Sequence, residues 1–535
     1  MSTSRASGTV ASIGYASGPL FILSSEAMVY VPSGVVETEA ARLRAALSEA
    51  AASISALMQH ADEEAAGILE FQIAMLEDES LAEPAFAAIA AGANAADAWS
   101  DAMATEIQGY EAVEDAYFRA RSSDLRDIAA RVLRALSGVT ELAPPNGAII
   151  QGKDLTPTQF LAMDWTRGGG IVLKEGSPAS HVAMLARSRG VPMLIGVGSL
   201  EAASDDLVLL DAEHGHVVAR PDTEAHHTFQ SASAAHRDQL RQAQLRVRDR
   251  AITVDGVTIE VLVNIAEPAE VRTLDIAHCD GVGLMRTEFL FGRGLPDEAT
   301  QYAAYRTVLE WAGGKPVTIR TVDAGGDKPV PGYTVEETNP FLGLRGTRLS
   351  LSRPDVFRVQ VRALLRAAMH GKLKVMFPMV SLARELAEAT RLFEAEAAGL
   401  AAAGVPHRMP ELGIMVEVPA VAISPEGLSS AAFFSIGSND LTQYVMAAGR
   451  DNTAVAALND VRNPAVIALI GHVARFGAAH AIPVSLCGDA GGDPAAIPAL
   501  LSAGIRALSV APAQLPLAKA TIAASRAMDT RDGAA

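Results

Sequence analysis

The sequence predicts an α/β protein in two parts, a small α/β domain carrying an inserted α-helical subdomain and then a C-terminal (β/α)8 TIM-like barrel. Three observations predict it. Eight short, unbroken apolar runs recur after residue 251, most of them separated by helix-like segments, which is the size and rhythm of such a barrel. Apolar residues at helical intervals through Ala- and Glu-rich sequence mark 36–138 as helical. Short apolar runs bounded by Gly and Asp resume after Pro144 and Pro145, the signature of a small α/β unit. A chain of 535 residues also exceeds one ordinary core.

Taken in order, 8–23 is rich in Gly, Val, Ile and Ser and reads as strand and turn. The character changes at Thr38, where Leu43, Leu47, Ile54, Leu57 and Met58 repeat with a helical period. A second helical block covers 94–137, and Gly138 suits the residue after a helix end. The runs at 147–151, 170–174, 191–196 and 206–211 then read as strands. The early strand has no partners of its own and is expected to pair with them. The α/β domain is therefore discontinuous, 1–35 plus 139–222, with 36–138 inserted. A charged helical stretch, 223–250, reads as a linker, and 251–535 is the barrel. Its strand runs are 259–264, 281–286, 317–322, 373–379, 413–418, 433–437, 483–487 and 505–510. Unbroken apolar runs suit strands buried on both faces; a doubly wound open sheet is the alternative.

Composition narrows the function. The net charge of −18 argues against nucleic acid, whose phosphates call for a basic face. No apolar window is long enough for a membrane span. The polar start at 1–8 does not read as a signal peptide. Two cysteines, Cys279 and Cys487, exclude a disulfide framework and fit a reducing cytoplasm.

Nearly every barrel run ends in a residue able to do chemistry: Asn264, Arg286 with Glu288, Arg320 with Asp323, Glu417, Asn439 with Asp440, and Cys487 with Asp489. Active sites form at the carboxyl ends of barrel strands. Arg286, Arg320 and Lys328 concentrate positive charge suited to carboxylate or phosphate, and Arg345 and Arg450 extend the set. Glu417 and Asp440 are hard oxygen ligands of the kind that hold Mg²⁺ with water and substrate oxygens. Salt bridges from these carboxylates to the arginines are an equally good reading of the pair alone. The Cys487 thiol suits a general acid toward an enolate, or simply a buried cysteine. A second centre is His181. Ser177 is expected to cap a helix with Pro178 at its first position, and Gly190 closes it. His181 then lies in the first turn, where free N–H groups and the helix dipole would stabilise a phosphoryl group.

These residues fall in long motifs. They are Ser180-His181-Val-Ala-Met-Leu-Ala-Arg187, Gly283-Leu-Met-Arg286-Thr-Glu288, Arg320-Thr-Val-Asp-Ala-Gly-Gly-Asp-Lys328, Glu417-Val-Pro, Phe434-Ser-Ile-Gly-Ser-Asn439-Asp440, and Cys487-Gly-Asp489. Leu76-Glu77-Asp78 and Asp124-Leu-Arg-Asp127 belong with them. In this order, over nearly the whole chain, the sequence resembles phosphoenolpyruvate-protein phosphotransferase, enzyme I of the bacterial sugar phosphotransferase system. The resemblance implies a phosphohistidine α/β domain with His181 as the phosphorylated nucleophile. It implies that Arg286, Arg320, Lys328, Arg345, Asn439 and Arg450 bind phosphoenolpyruvate, that Glu417 and Asp440 hold Mg²⁺, and that Cys487 protonates the enolate to give pyruvate. It further implies that the helical insert docks the small phosphocarrier HPr, that the barrel forms a homodimer, and that a swivel brings His181 to the barrel. Three positions depart from the family: Ala179 in place of Thr, Gly449 in place of Asp, and Asp489 in place of Glu. The related pyruvate phosphate dikinase and phosphoenolpyruvate synthase need an ATP-binding domain ahead of the histidine, and no Gly-rich nucleotide loop occurs there. A non-catalytic regulatory relative would have lost one of the key residues, and all are present.

Overall fold

A computed structural model describes residues 3–527, apart from 24–29, 59–62, 113–115, 139–143, 177–179, 293, 327, 329, 336, 450–454 and 456–457. It divides into two compact units, Met1–His236 and Arg237–Ala535.

In the first unit, strands β1 (Ser4–Ser7), β2 (Thr9–Ser12), β3 (Tyr15–Ile22), β4 (Ile149–Gly152), β5 (Gly170–Leu173), β6 (Met193–Ile195), β7 (Leu207–Asp211) and β8 (His216–Ala219) form one sheet. The spatial order is β1-β8-β7-β3-β4-β5-β6-β2. β3 runs parallel to β4 and antiparallel to β7. The chain thus leaves the sheet after β3 and returns to its neighbour only at β4. Between them come the helices Val36–Met58, Glu63–Glu77, Glu79–Ala90, Ala95–Ala112 and Ala116–Ser137. These have their own core, in which Leu43, Trp99, Met103, Leu125, Ile128 and Val132 pack together. β8 was not legible as a run; it has only four residues and alternates in burial.

Glu39 locks this helical core. Its buried carboxylate accepts from Ser33 N and Oγ and from Tyr30 Oη, each at 2.6 Å, and from Ala95 N at 2.8 Å. Ala95 opens the helix Ala95–Ala112, so the charge also meets a helix N-terminus. Burial alone would push the Glu39 carboxyl up, but the Ser33, Tyr30 and backbone hydrogen bonds outweigh it and hold it at about 2, against an ordinary 4.5. A depressed carboxyl contributes stability that is full above about pH 4.5 and is lost as pH falls toward 2. Glu39→Ala is expected to cost about 2–4 kcal/mol. Acid titration of unfolding should show the Glu39 contribution fading between those pH values in the parent chain and absent in Glu39→Gln.

In the second unit, β9 (Ala251–Ile252) pairs antiparallel with β10 (Thr258–Ile265). β11 (Val282–Met285), β12 (Pro316–Arg320), β13 (Lys372–Phe377), β14 (Glu411–Val416), β15 (Phe434–Ile436), β16 (Val484–Leu486) and β17 (Ala507–Val510) follow in parallel. β10 pairs with both β17 and β11, so the eight strands β10–β17 close into a barrel rather than an open sheet. Side chains alternate between the two faces of a strand. Val261, Ile319, Val375, Val416, Ile436 and Leu508 belong to the main core beneath the surrounding helices. The alternate positions bring Leu284, Met376, Met415, Phe433 and Cys487 together in a separate cluster. The helix Thr223–Leu245 carries the chain across the boundary between the units. No described helix is long and apolar enough to cross a membrane.

Candidate active site

The site residues of the second unit follow the strands directly. Arg286 comes next after β11, Arg320 ends β12, Glu417 comes next after β14, Cys487 comes next after β16, and Asn439 and Asp440 lie in the first turn of Ser438–Met446, just beyond β15. Their common end of the barrel follows from the parallel order of the strands.

At its centre is Asp323, fully buried. The Arg345 Nε and Nη2 donate to its two oxygens at 3.0 and 2.9 Å. Arg320 Nη1 and Lys328 Nζ each stand 3.4 Å from Oδ2. One carboxylate therefore gathers three cations. Burial opposes its ionisation, and the Lys328, Arg345 and Arg320 charges overcome that and hold it well below the usual carboxylate range. Arg320 is also gripped by Glu288 Oε1 at 3.0 Å, which accepts from Asp323 N as well, at 2.8 Å. Arg345 is completely buried and forks a second time, Nη1 and Nη2 reaching Asp440 Oδ1 and Oδ2 at 3.1 and 3.2 Å. Of the two readings the sequence left open for Asp440, the salt bridge is therefore present. A carboxylate oxygen with a second lone pair remains able to meet a cation. Arg286 is exposed, and its side chain makes no ion pair with another described residue. Arg450 lies outside the described residues.

Glu417 is 1% exposed. Its Oε1 accepts from Met379 N at 2.6 Å. Met379 has φ +56°, an unusual conformation for a residue with a side chain, and such strain concentrates at functional sites. A Cβ at Gly437 would stand only 2.9 Å from Glu417 Oε2, so glycine there makes room for the carboxylate. Oε2 has no hydrogen-bond partner among the described residues, and neither have Glu288 Oε2 and Arg320 Nε. Burial first, then repulsion from Asp440 and Asp323, pushes the Glu417 carboxyl up to about 8. A buried, unpartnered oxygen repelled by a neighbouring carboxylate fits a divalent cation between them. Among the described residues no group of three His, Cys, Asp or Glu could hold a metal. Two carboxylates completed by water and substrate oxygens would suit Mg²⁺, which is commonly held in that way.

Cys487 is buried, its Sγ 3.7 Å from Ile436 O, and burial pushes its thiol up to about 11. Asn439 and Asp489 embrace: Asn439 Nδ2 donates to Asp489 Oδ2 at 2.9 Å, and Asp489 N donates to Asn439 Oδ1 at 3.0 Å. The shorter acid at 489 still reaches its partner. Asn264 Nδ2 donates to Cys487 O and Ser509 O at 3.2 and 3.3 Å.

In the first unit, His181 opens the helix His181–Ser188. Its cap is Ser180, whose Oγ accepts from Ala183 N at 3.3 Å, rather than Ser177. Ser177, Pro178 and Ala179 lie outside the described residues. Ser180 has the extended backbone of an N-cap (φ −65°, ψ 153°), and His181 stands at the first helical position, in the first turn as its sequence suggested. Val182, Ala183, Leu185 and Ala186 bury the helix against β5 and β6 residues.

Sequence reasoning named Asp323 and Glu288 only as strand-end polar residues and overlooked Met379.

Residues 7–121 match the family described as PEP-utilising enzyme, N-terminal; 144–215 match the PEP-utilising enzyme mobile domain; and 240–527 match the PEP-utilising enzyme PEP-binding domain. A phosphoenolpyruvate-protein phosphotransferase of Geobacillus stearothermophilus is 38% identical over 90% of this chain and 87% of its own. One of Haloferax volcanii is 39% identical over 88% of this chain and 84% of its own. A multiphosphoryl transfer protein of Rhodobacter capsulatus is 38% identical over 85% of this chain and 56% of its own.

Proposed function

The chain belongs to the phosphoenolpyruvate-protein phosphotransferase family and carries out phosphoenolpyruvate-dependent phosphotransfer, so we propose that His181 accepts the phosphoryl group and passes it to an HPr-type carrier. What carries the reading is the gathering of Arg320, Lys328 and Arg345 on Asp323, beside the paired acids Glu417 and Asp440. Arg286, Arg320, Lys328, Arg345, Asn439 and Arg450 bind the phosphate and carboxylate of phosphoenolpyruvate and fix its orientation. Glu417 and Asp440 hold Mg²⁺, which when bound neutralises charge on phosphoryl and enolate oxygens. The His181 imidazole attacks phosphorus, and the P–O bond to the enolate breaks. Cys487 gives its proton to the methylene carbon, and pyruvate leaves. Phosphate on His181 would be stabilised by the positive N-terminal end of the helix that residue 181 opens. In the same reading the helices within 36–138 dock the carrier, the barrel forms a homodimer, and the enzyme works in the cytoplasm.

The cation site is tested without turnover. Mn²⁺ added to the full chain is followed by the free-ion electron paramagnetic resonance signal. Glu417→Gln is expected to weaken binding at least about tenfold, since a neutral amide replaces one of two anionic ligands. Affinity equal to the parent's would remove Glu417 from the ligand set.

A further inference from the structure

The barrel interior holds a polar column that the phosphotransfer chemistry above does not use. Phe434, Ile436 and Leu486 join the main core, so the alternating positions Ser435, Ser485 and Cys487 face the other way. Cys487 and Phe433 belong to the interior cluster. The strand register sets Ser435 opposite Ser485, and Ser485 Oγ donates to Ser435 Oγ at 3.1 Å. The Ser435 hydroxyl, itself fully buried, lies on the same strand face as Cys487, near enough to offset part of the burial that pushes the thiol up; the thiol itself stands 3.7 Å from Ile436 O. Two hydroxyls in contact and a neighbouring thiol, three groups able to carry a proton, thus share one face across two strands.

The column leads away from the cation cluster. Ser485 is half-buried and lines a cavity with Thr318, Lys374, Val282, Pro316 and Ala507. Val282, Pro316 and Ala507 are the first residues of β11, β12 and β17, so this cavity lies at the amino ends of the strands. Its space of about 70 Å³ exceeds the roughly 10–15 Å³ that one water needs, and its lining is partly polar.

If Cys487 protonates the enolate, each turnover leaves a thiolate that needs a proton back. At 3% exposure that sulfur has little direct access to solvent, and the carboxyl-end mouth is where substrate and product sit. We infer that Ser435 and Ser485 return protons to Cys487 from the cavity at the opposite end of the barrel. This rests on the reading of Cys487 as the donor. The electron pair of the enolate forms the new C–H bond while the S–H pair stays on sulfur. Ser435 then gives its proton to the thiolate and takes that of Ser485, which takes one from water in the cavity. A hydroxyl donates and accepts at once, so each link is restored, and one solvent proton enters for each one delivered to carbon.

The full enzyme, equilibrated in H₂O, is diluted with Mg²⁺ into excess D₂O, aged for a series of times, then given phosphoenolpyruvate and quenched after one turnover. Mass spectrometry of the pyruvate methyl group reads how fast the donor exchanges with solvent. Ser435→Ala and Ser485→Ala are expected to slow the appearance of deuterium at least fivefold, and Ser435→Thr to restore it. Ser485 is only half-buried, so its variant provides a result even where Ser435→Ala folds poorly. Parental deuterium uptake in both alanine variants would overturn the relay alone. Cys487→Ala yielding deuterated pyruvate at the parental rate would instead overturn the donor role beneath it.

Discussion

His181→Ala is expected to take up no acid-labile label from radiolabelled phosphoenolpyruvate and Mg²⁺, while the parent chain is labelled by phosphoenolpyruvate and not by ATP. The loss should reach at least about a thousandfold, because the substitution removes the nucleophile itself rather than a group that assists it. Folding should survive. His181 stands at the first position of an eight-residue helix, alanine is a good helix former, and the Ser180 cap is untouched. Far-ultraviolet circular dichroism unchanged from the parent would make the labelling result unambiguous. A His181→Ala chain that still acquires acid-labile phosphate would place the phosphoryl group on another residue.

Asp323→Asn should have the next largest effect, and on two readouts together. The carboxylate neutralises Arg345, Arg320 and Lys328 in a buried setting. Its depressed pKa means that it stabilises the fold at every pH above the ordinary carboxylate range, with the contribution lost only on acidification. An amide of the same shape leaves Arg345, completely buried, with Asp440 as its remaining carboxylate. Removing one partner of a buried ion pair costs about 3–5 kcal/mol, equivalent to roughly 5–8 °C in the melting of a unit of this size. Calorimetry of the barrel transition checks that figure. Phosphoenolpyruvate affinity should fall in parallel, at least about a hundredfold, because the three cations proposed to bind it lose their common anchor. A normal melting temperature with lost binding would mean that Asp323 positions the cations without stabilising the barrel. Parental values for both would show that Glu288 and Asp440 suffice.

The departures at 449 and 489 read differently once the strands are placed. Asp489 exchanges two hydrogen bonds with Asn439, so the shorter side chain keeps the contact that a glutamate would have to fold back to make. The Gly449 carbonyl accepts from Asn459 Nδ2 at 3.2 Å, a backbone contact that no side chain at 449 is needed to make.

The sequence alone determined the succession of the eight barrel strands, though not the short β8 and β9, and the end of the barrel to which each polar residue belongs. Unbroken apolar runs report strands buried on both faces, and in a parallel barrel the residue after every run must emerge at the same end. It also placed His181 in a helix's first turn, though not the right cap, since Ser177 and Ser180 are both competent and the choice depends on where helical dihedrals begin. Tertiary structure alone decided who pairs with whom. Arg345 meets Asp323 and Asp440, and Ser435 meets Ser485, only because barrel closure and strand register bring together residues 22, 95 and 50 positions apart. Composition and periodicity carry burial, which each residue expresses locally. They carry no record of which charge lies opposite which, because that depends on distances across a closed sheet.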